Sequence, residues 1–500
     1  MQNPLLPLSS LLLMGAVTGS APLTNACVKT TDSGKRPNIL FLFADDQRAD
    51  ALGCAGNTYI KTPNIDRLAG NGVRFTNAYV MGGHHGAISA PSRAMLMTGK
   101  NLFHVYDVLD GKVTMPAYFS GFGYETFATG KWHNGAASLI ATFQKAENVF
   151  LGGMSDHFQV PCQDLDSSGK LTDPVIKGFS TDIFAETAVR YLKDYASSGK
   201  KNPFFCYVAF TAPHDPRSPQ ADYTGRYRGE AIPLPGNFMP LHPFEFDDMN
   251  VRDETLAPWP RTTEIIQASL ADYYGLITHL DDRVGYIVRT LTELGLADNT
   301  IIIYAADNGL AVGSHGLLGK QNLYEHSMKV PLIISGPGIP KNELRNSLIY
   351  LYDLYPTLAK LCRLPVPGDI DGKDLVKVIT GREKNVRGSL YTAYRNTVRA
   401  VRDEEWKLIR YPERNYTQLF NLREDPLEIN NLASLPEFME KTDEMMKLLE
   451  KWYAETDDTA TLNPKFILPL EYDYKKLRQI RDQYQPGYVI ERYFEAADMK

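Results

Sequence analysis

Four short stretches of the chain carry apolar residues without alternation: "NILFLFA" at 38–44, "FFCYVAF" at 204–210, "TIIIYAA" at 300–306 and "VPLIIS" at 330–335. Unbroken apolar runs of this length, rich in β-branched and aromatic residues, predict strands covered on both faces, as in a mostly parallel sheet. Between them apolar residues recur three and four apart, most persistently over 264–294, which predicts helices with one buried face. Strands separated by helices give an α/β class: a large, mostly parallel or mixed sheet sandwiched by helices.

The pattern changes near "TGREKNVRG" (380–388), where polar and charged residues dominate. This places a boundary between a domain at 36–385 and a smaller C-terminal α+β subdomain at 386–500. Within the latter, "LYTAYRNTVRAVRDEEWKLIRYP" and "YTQLFNL" predict short antiparallel strands. Ser434 and Glu437 have the spacing of a capping box before a helix with Phe438, Met445, Leu449 and Trp452 on one stripe. The Pro-rich, patternless segment 225–262 reads as a long surface loop near the site. No internal repeat is evident.

The N-terminus is of another kind. "LLPLSSLLLMGAVTGSA" (5–21) is an apolar run followed by small residues, the form of a signal peptide over 1–26. Cys27 stands where a bacterial lipoprotein signal would place its cysteine, so export to the periplasm or attachment to the outer membrane is expected. No later apolar stretch is long enough for a transmembrane helix. A net charge of -6 without a Lys/Arg cluster argues against nucleic acid as a partner. Cys54, Cys162, Cys206 and Cys362 are widely spaced, without a zinc pattern; buried free thiols are expected, with one disulfide possible after export.

Two of the predicted strands end in carboxylates: Asp45-Asp46 follows the first, and Asp307-Asn308 follows the strand at 300–306. Ligands of parallel sheets bind beyond the carboxyl ends of strands, so both pairs should emerge on one edge. Three carboxylates and an amide oxygen suit Ca2+ or Mg2+. One Asp-Asp pair is ordinary in a loop, but two pairs that each close a buried strand favour a metal. Cations accompany them: Arg93 in "SAPSR", Lys131 and His133 in "GKWH", His214 in "APHDP", His315 and Lys320 in "SHGLLGK". A dication with these groups makes a pocket for a tetrahedral oxyanion, sulfate or phosphate alike.

"SAPSR…TGK" (89–100) resembles the signature of the type I, formylglycine-dependent sulfatases of the alkaline phosphatase-like superfamily. "NILFLFADDQRAD", "GKWH", "PHDP", "YAADNG" and "GKQNLYEHSMKVPLIISGPGI" are similar to that family in order and spacing, across about residues 36 to 435. Lys329 departs from it, standing where Arg is common. The resemblance implies a sulfuric ester hydrolase whose Ser89 is oxidised to formylglycine (3-oxoalanine). One hydroxyl of the hydrated aldehyde would attack sulfur and the other collapse, so that no stable serine sulfate remains. A Ser-type motif implies maturation by the radical sulfatase-maturating enzyme of oxygen-poor bacteria, which reads Pro91 and Arg93.

The remaining roles also come from the resemblance. One Ca2+ would be held by Asp45, Asp46, Asp307 and Asn308 together with residue 89. Arg93 would steady the hydrated aldehyde, Lys131 and Lys320 hold sulfate oxygens, and His133 assist collapse. His214 would be the general acid, with His315 assisting. A sulfated glycan is the expected substrate, with Arg395 as a candidate sugar contact. A phosphonate monoester or phosphodiester hydrolase of the same superfamily, and a glycan-binding protein without activity, stay open as alternatives.

Overall fold

The strand Asn38–Ala44 occupies the middle of a nine-stranded sheet in the computed structural model. The described residues are 35–199, 201–229, 232–477, 482 and 485–498; the expected leader and Cys27 lie outside them. Across the sheet the order is Glu343–Arg345, Gly72–Tyr79, Lys329–Ser335, Thr300–Ala306, Asn38–Ala44, Phe204–Ala209, Glu125–Lys131 and Lys145–Phe150, with Ile349–Tyr350 also paired to Gly72–Tyr79. Lys329–Ser335 runs antiparallel to both its neighbours and every other pairing is parallel. The sheet is therefore mixed and mostly parallel.

The unalternating runs are strands for the reason their pattern implies. Residues 39–44 are fully buried, and Phe41 packs on Phe43 and Tyr207 with ring centroids 5.6 and 5.7 Å away. Truncating such a side chain costs about 3–5 kcal/mol, so Phe41→Ala alone would threaten the centre of the sheet. Helices flank it in two groups: Thr263–Glu293 touches both Pro63–Gly70 and Ser180–Ser197, and Ser89–Thr98 touches both Met115–Gly121 and Leu354–Leu361. The long helix starts where the Thr262 hydroxyl accepts a hydrogen bond from the Ile265 amide.

A second sheet takes Tyr416–Asn421, Trp406–Tyr411, Val398–Arg402 and Leu390–Tyr394 in antiparallel order, then Gly82–Gly83 in parallel. That last pairing matters for function, because residues 82–83 lead directly to Ser89. The helix Met439–Glu455 covers this sheet, burying Met445 and Leu449, with Phe438 and Trp452 half-buried beside them.

Three expectations need correction or completion. No side-chain cap forms at Ser434 and Glu437; Pro436 opens a 3-10 turn over Pro436–Phe438, and the helix begins after it with Phe438 at its N-cap. The segment 225–262 is not a surface loop. It buries Tyr227, Ile232, His242, Phe244, Phe246 and Met249, so its prolines mark irregular packed chain. Cys54, Cys162, Cys206 and Cys362 are free thiols, and Cys54 alone of these is not buried.

Candidate active site

Adjacent parallel strands deliver the site. Asn38–Ala44 ends at Asp45 and Asp46, Thr300–Ala306 at Asp307 and Asn308, Glu125–Lys131 at Lys131 itself, and Phe204–Ala209 a few residues before His214. All four run the same way, so their carboxyl ends share one edge. Gly130 makes the approach possible: at φ 96°, a Cβ there would stand 1.8 Å from the Ala209 carbonyl oxygen. Asp46 takes φ 64°, a turn that directs its amide to Asp307 Oδ1 at 3.1 Å.

Ser89 is the first residue of the helix Ser89–Thr98, which is buried along its whole length. Pro91 falls in the first turn, where a missing N–H costs no helix hydrogen bond. Gly99 closes the helix at φ 67°, its amide donating to the Met95 carbonyl. Ser89 and Arg93 are four residues apart and share a face. The Ser89 Oγ lies 3.1 Å from both Asp45 Oδ1 and Asn308 Oδ1. Arg93 donates from Nε to Asp307 Oδ2 at 2.9 Å and from Nη1 to the Lys131 carbonyl at 2.8 Å. The helix start faces the cluster, but Pro91 has no amide hydrogen and the Ala90 and Ser92 amides donate to the Ala87 and Ile88 carbonyls.

The remaining cations sit on the carboxylates. Lys131 Nζ is 2.5 Å from Asp45 Oδ2, and Lys320 Nζ is 2.6 Å from Asp46 Oδ1. Asn308 donates from Nδ2 to Asp46 Oδ1 at 2.8 Å, which turns its own oxygen toward Ser89. His214 Nε2 is 3.6 Å from Asp46 Oδ2, and Asp45, Asp46 and His214 together form a group able to hold a metal. His133 stands at φ 71°, its Nδ1 without a hydrogen-bond partner.

Burial sets the electrostatics. It pushes the Asp45 carboxyl up, helped by Asp307, and pushes Asp46 up against the pull of Lys320. Burial acts on Asp307 likewise, but Arg93 and Lys131 outweigh it and hold that carboxyl well below its usual range. Burial drives Lys131, His133 and His214 down, whereas at Lys320 the attraction of Asp46 overcomes burial and raises it. Three carboxylates balance Arg93, Lys131 and Lys320. A dication added among them leaves two positive charges in excess, an environment suited to an oxyanion.

The structure thus brings Asp45, Asp46, Ser89, Arg93, Lys131, His133, His214, Asp307, Asn308 and Lys320 to one edge. His315 stays apart. Its Nε2 donates to the Glu428 carbonyl at 3.0 Å, and its ring stacks on Tyr324 with centroids 3.9 Å apart. Arg395 stands beside the loop that leads to Ser89: its amide donates to the Gly83 carbonyl at 2.8 Å, and its side chain, 40 % exposed, lies 3.2 Å from Asp248 Oδ1.

Sequence reasoning passed over Asp215, Arg252 and Gln321. Asp215 lies against His214 and Arg252 against Asp215, while Gln321 donates to the Gly86 carbonyl and to Asp253. Only Asp215 carried a signal, its adjacency to His214.

Comparison with known proteins agrees with this arrangement. The family model described as sulfatase matches residues 37–363, and that of the C-terminal part of N-sulphoglucosamine sulphohydrolase matches 313–455. The chain is 28% identical over 530 residues to an N-acetylglucosamine-6-O-sulfatase of Bacteroides thetaiotaomicron, covering 90% of this chain and 92% of that one. It is 29% identical over 483 residues to an ulvan-active sulfatase of Formosa agariphila, with 90% and 87% covered. Among solved structures, one in complex with its substrate D-glucosamine-2-N,6-O-disulfate shares the fold at TM-score 0.71 and 24% identity, over 85% of this chain and 99% of the other. The phosphonate monoester hydrolase of Agrobacterium radiobacter shares it at TM-score 0.68 and 22% identity, over 84% and 96%. The sulfatase model alone spans more than half of the sequence, and this chain belongs to the sulfatase family.

Proposed function

We propose that this sulfatase is exported and removes sulfate from a sulfated glycan, with residue 89 matured from serine to formylglycine. The observation that carries the reading is the Ser89 Oγ, 3.1 Å from Asp45 Oδ1 and Asn308 Oδ1 at a helix start, among Lys131, Lys320, His133 and His214. As the hydrated aldehyde, residue 89 supplies both an attacking hydroxyl and a second one that lets sulfate leave by C–O cleavage.

Oxygen donors from three buried carboxylates and one amide fit a hard dication, and the raised Asp45 and Asp46 are the mark of carboxylates buried together. Asp45, Asp46, Asp307 and Asn308 would hold Ca2+, which when bound favours the ionised nucleophile and offsets sulfate charge.

This chain's own groups do the rest. Lys131 and Lys320, now on Asp45 and Asp46, are suited to take sulfate oxygens. Arg93 fixes Asp307 and the Lys131 carbonyl, holding the edge in shape around residue 89. His133 offers its unpartnered Nδ1 to the hydroxyl that must lose a proton. His214, with Nδ1 fixed by Asp215, presents Nε2 to the leaving oxygen, a role that matters because a sugar alkoxide leaves poorly. His315 has no place in this scheme, since its ring stacks on Tyr324 and its Nε2 donates to the Glu428 carbonyl.

The glycan reading draws on relatives named for N-acetylglucosamine 6-O-sulfate and ulvan, and Arg395 at the mouth is a suitable sugar contact. Export draws on the leader-like 1–26, with Cys27 as the anchor position, and the Ser-type motif calls for an anaerobic radical maturase. The fold shared with a phosphonate monoester hydrolase favours a second reading, hydrolysis of phosphonate or phosphodiester.

Protein made with the radical maturase should carry residue 89 lighter than serine by two hydrogens in a peptide mass spectrum. Full activity with unmodified Ser89 would remove the mechanism. A panel of defined sulfated saccharides run beside an aryl phosphodiester then decides between the two readings.

A further inference from the structure

The loop that carries His214 is gripped from both flanks by the last described part of the chain. His214 donates from Nδ1 to the Asp215 carbonyl at 2.7 Å, and the same nitrogen lies 3.2 Å from Asp215 Oδ1, which leaves Nε2 facing the cluster. Asp215 is buried, and its other carboxylate oxygen is ion-paired with Arg252. Arg252 in turn donates from Nε to Asp482 Oδ2 at 2.9 Å, with Nη2 2.7 Å from the same oxygen, and from Nη1 to Asp253 Oδ1 at 3.2 Å. One guanidinium thus joins three carboxylates, one of them from the C-terminal segment.

The other flank is Arg217, two residues beyond Asp215. Its buried guanidinium lies 5.8 Å from the ring of Tyr493, in the helix Gly487–Asp498. That helix docks on Thr263–Glu293 through its own contacts: Tyr493 donates its hydroxyl to Asp272 Oδ2 at 3.0 Å, Arg492 pairs with Asp272, and Val489 and Tyr493 are fully buried. The tail is therefore anchored independently of Asp482, and removing the Asp482 charge need not release it.

We infer that Asp482, acting through Arg252 and Asp215, is a positioning residue for His214, so that the C-terminal segment sets the geometry of proton transfer. The inference rests on the reading of His214 as proton donor. A planar guanidinium held by opposed carboxylates has one orientation, and Asp215 inherits it. With Asp482 replaced by Asn, Arg252 keeps Asp215 and Asp253 but its Nε and Nη2 face a neutral amide oxygen in place of a carboxylate. The contact weakens, and the Asp215–His214 pair gains freedom. Proton transfer depends on alignment within tenths of an ångström. The Lys131 and Lys320 ammonium groups, by contrast, are held on Asp45 and Asp46. Lys320 meets this chain of contacts through Gln321, which accepts from the Lys320 amide and donates to Asp253.

The test uses matured full-length enzyme and two probes, 4-nitrophenyl sulfate, whose leaving anion is stabilised, and phenyl sulfate, whose leaving anion is more basic. Asp482→Asn should lose on the order of ten-fold in kcat/KM on phenyl sulfate, part of the 10²–10⁴ that general acid catalysis supplies. On 4-nitrophenyl sulfate it should stay within about two-fold, because little proton transfer is needed there. Arg252→Lys should lie between wild type and Arg252→Met, and it carries the same test if Asp482→Asn melts early. His214→Ala is the control and should show the largest selective loss. Selective loss in His214→Ala with none in Asp482→Asn and Arg252→Lys would overturn the positioning role alone. Equal losses on both probes for His214→Ala would overturn the acid role, and the inference with it.

Discussion

Two of the buried charge clusters among the described residues are built differently. At the carboxyl edge of the large sheet, Asp45, Asp46 and Asp307 face Arg93, Lys131 and Lys320, three of these six delivered by turns just past strand ends. Where the two sheets meet, Glu325 and Glu428 face Arg402 and Lys407: Lys407 Nζ is 3.0 Å from Glu325 Oε1 and 2.7 Å from Glu428 Oε1, and Arg402 Nη1 is 3.1 Å from Glu325 Oε2. Lys407 and Arg402 overcome burial and hold Glu325 well below its usual range. In the first cluster burial wins at Asp45 and Asp46. At the junction burial likewise pushes Glu428 up, to about 7, but there both carboxylates share the ammonium of Lys407. The edge cluster crowds three carboxylates and an amide oxygen together, which suits a further cation, and holds a His133 Nδ1 without a hydrogen-bond partner.

The sharpest way to break the comparison is to act on the edge cluster alone. Ser89→Ala should remove activity by on the order of 10⁴-fold or more, as loss of a nucleophile does, with little change in unfolding free energy. Chelation should do the same, and Ca2+ should restore activity better than Zn2+ because the donors are hard oxygens. Turnover of 4-nitrophenyl sulfate after exhaustive chelation, checked by metal analysis, would sink the metal assignment of Asp45, Asp46, Asp307 and Asn308.

The two lysines offer the next contrast. Lys131→Ala should lower kcat/KM by about 10²–10³ on aryl sulfate and saccharide alike, since both present the same sulfate oxygens. Lys407→Ala leaves Glu325 and Glu428 short of a partner and should destabilise by about 3–5 kcal/mol in urea unfolding, with kcat of the folded fraction unchanged. If Lys131→Ala unfolds the protein and Lys407→Ala spares it, the division between the clusters is wrong.

How much of this could be read from the chain depends on the range of the signal. Strands 38–44 and 300–306 announce themselves by local apolar runs, and the acids that close them sit next in sequence, so both pairs were legible. Ser89 and Arg93 were legible because four residues is one helical turn. Arg252 and Asp482 were not, since nothing local relates a Pro-rich segment and a C-terminal aspartate to His214. The segment 225–262 misled because prolines and missing periodicity mark irregular chain, exposed or packed. At 434–437 the residues of a capping box were present, but Pro436 imposed a 3-10 turn and the helix started later. His315 lies apart from the cluster although Lys320, five residues on, joins it, because nearness in sequence says nothing about which way a turn at φ 53° directs the ring.

Acid should sharpen the contrast further. Burial pushes His157 down to about 4 and His242 to about 3, and it holds His326 well below the ordinary value. Each is neutral in the folded protein, whereas an unfolded histidine titrates near 6.5. The unfolded state therefore binds more protons below that pH. The stability these groups contribute is complete above about pH 6.5 and is lost as pH falls toward the folded values, by up to about 1.4 kcal/mol per pH unit for each. Asp45, Asp46 and Asp281, pushed up to about 6, and Glu428, pushed up to about 7, act in the opposite sense over this range. The check is therefore the ring NMR signals of His157, His242 and His326 from pH 7.5 to 5.5. They should not shift, and titration near 6.5 would show that these rings are not held neutral.

The smallest expected effect separates His315 from His214. His315 is buried behind the cluster; its amide donates to the Asn237 carbonyl at 2.8 Å and its Nε2 to the Glu428 carbonyl at 3.0 Å. Its ring lies nearly parallel to Tyr324, at 11°, and 5.4 Å from His326. Replacing it with asparagine strands one buried carbonyl and removes the stack, which should cost about 1–3 kcal/mol. Proton delivery to the leaving group should not change, so the ratio of kcat/KM on phenyl sulfate to that on 4-nitrophenyl sulfate should match wild type. A ratio that falls in His315→Asn as it does in His214→Ala would put His315 in the proton path, and the wall it now helps to build would have to open toward the leaving group.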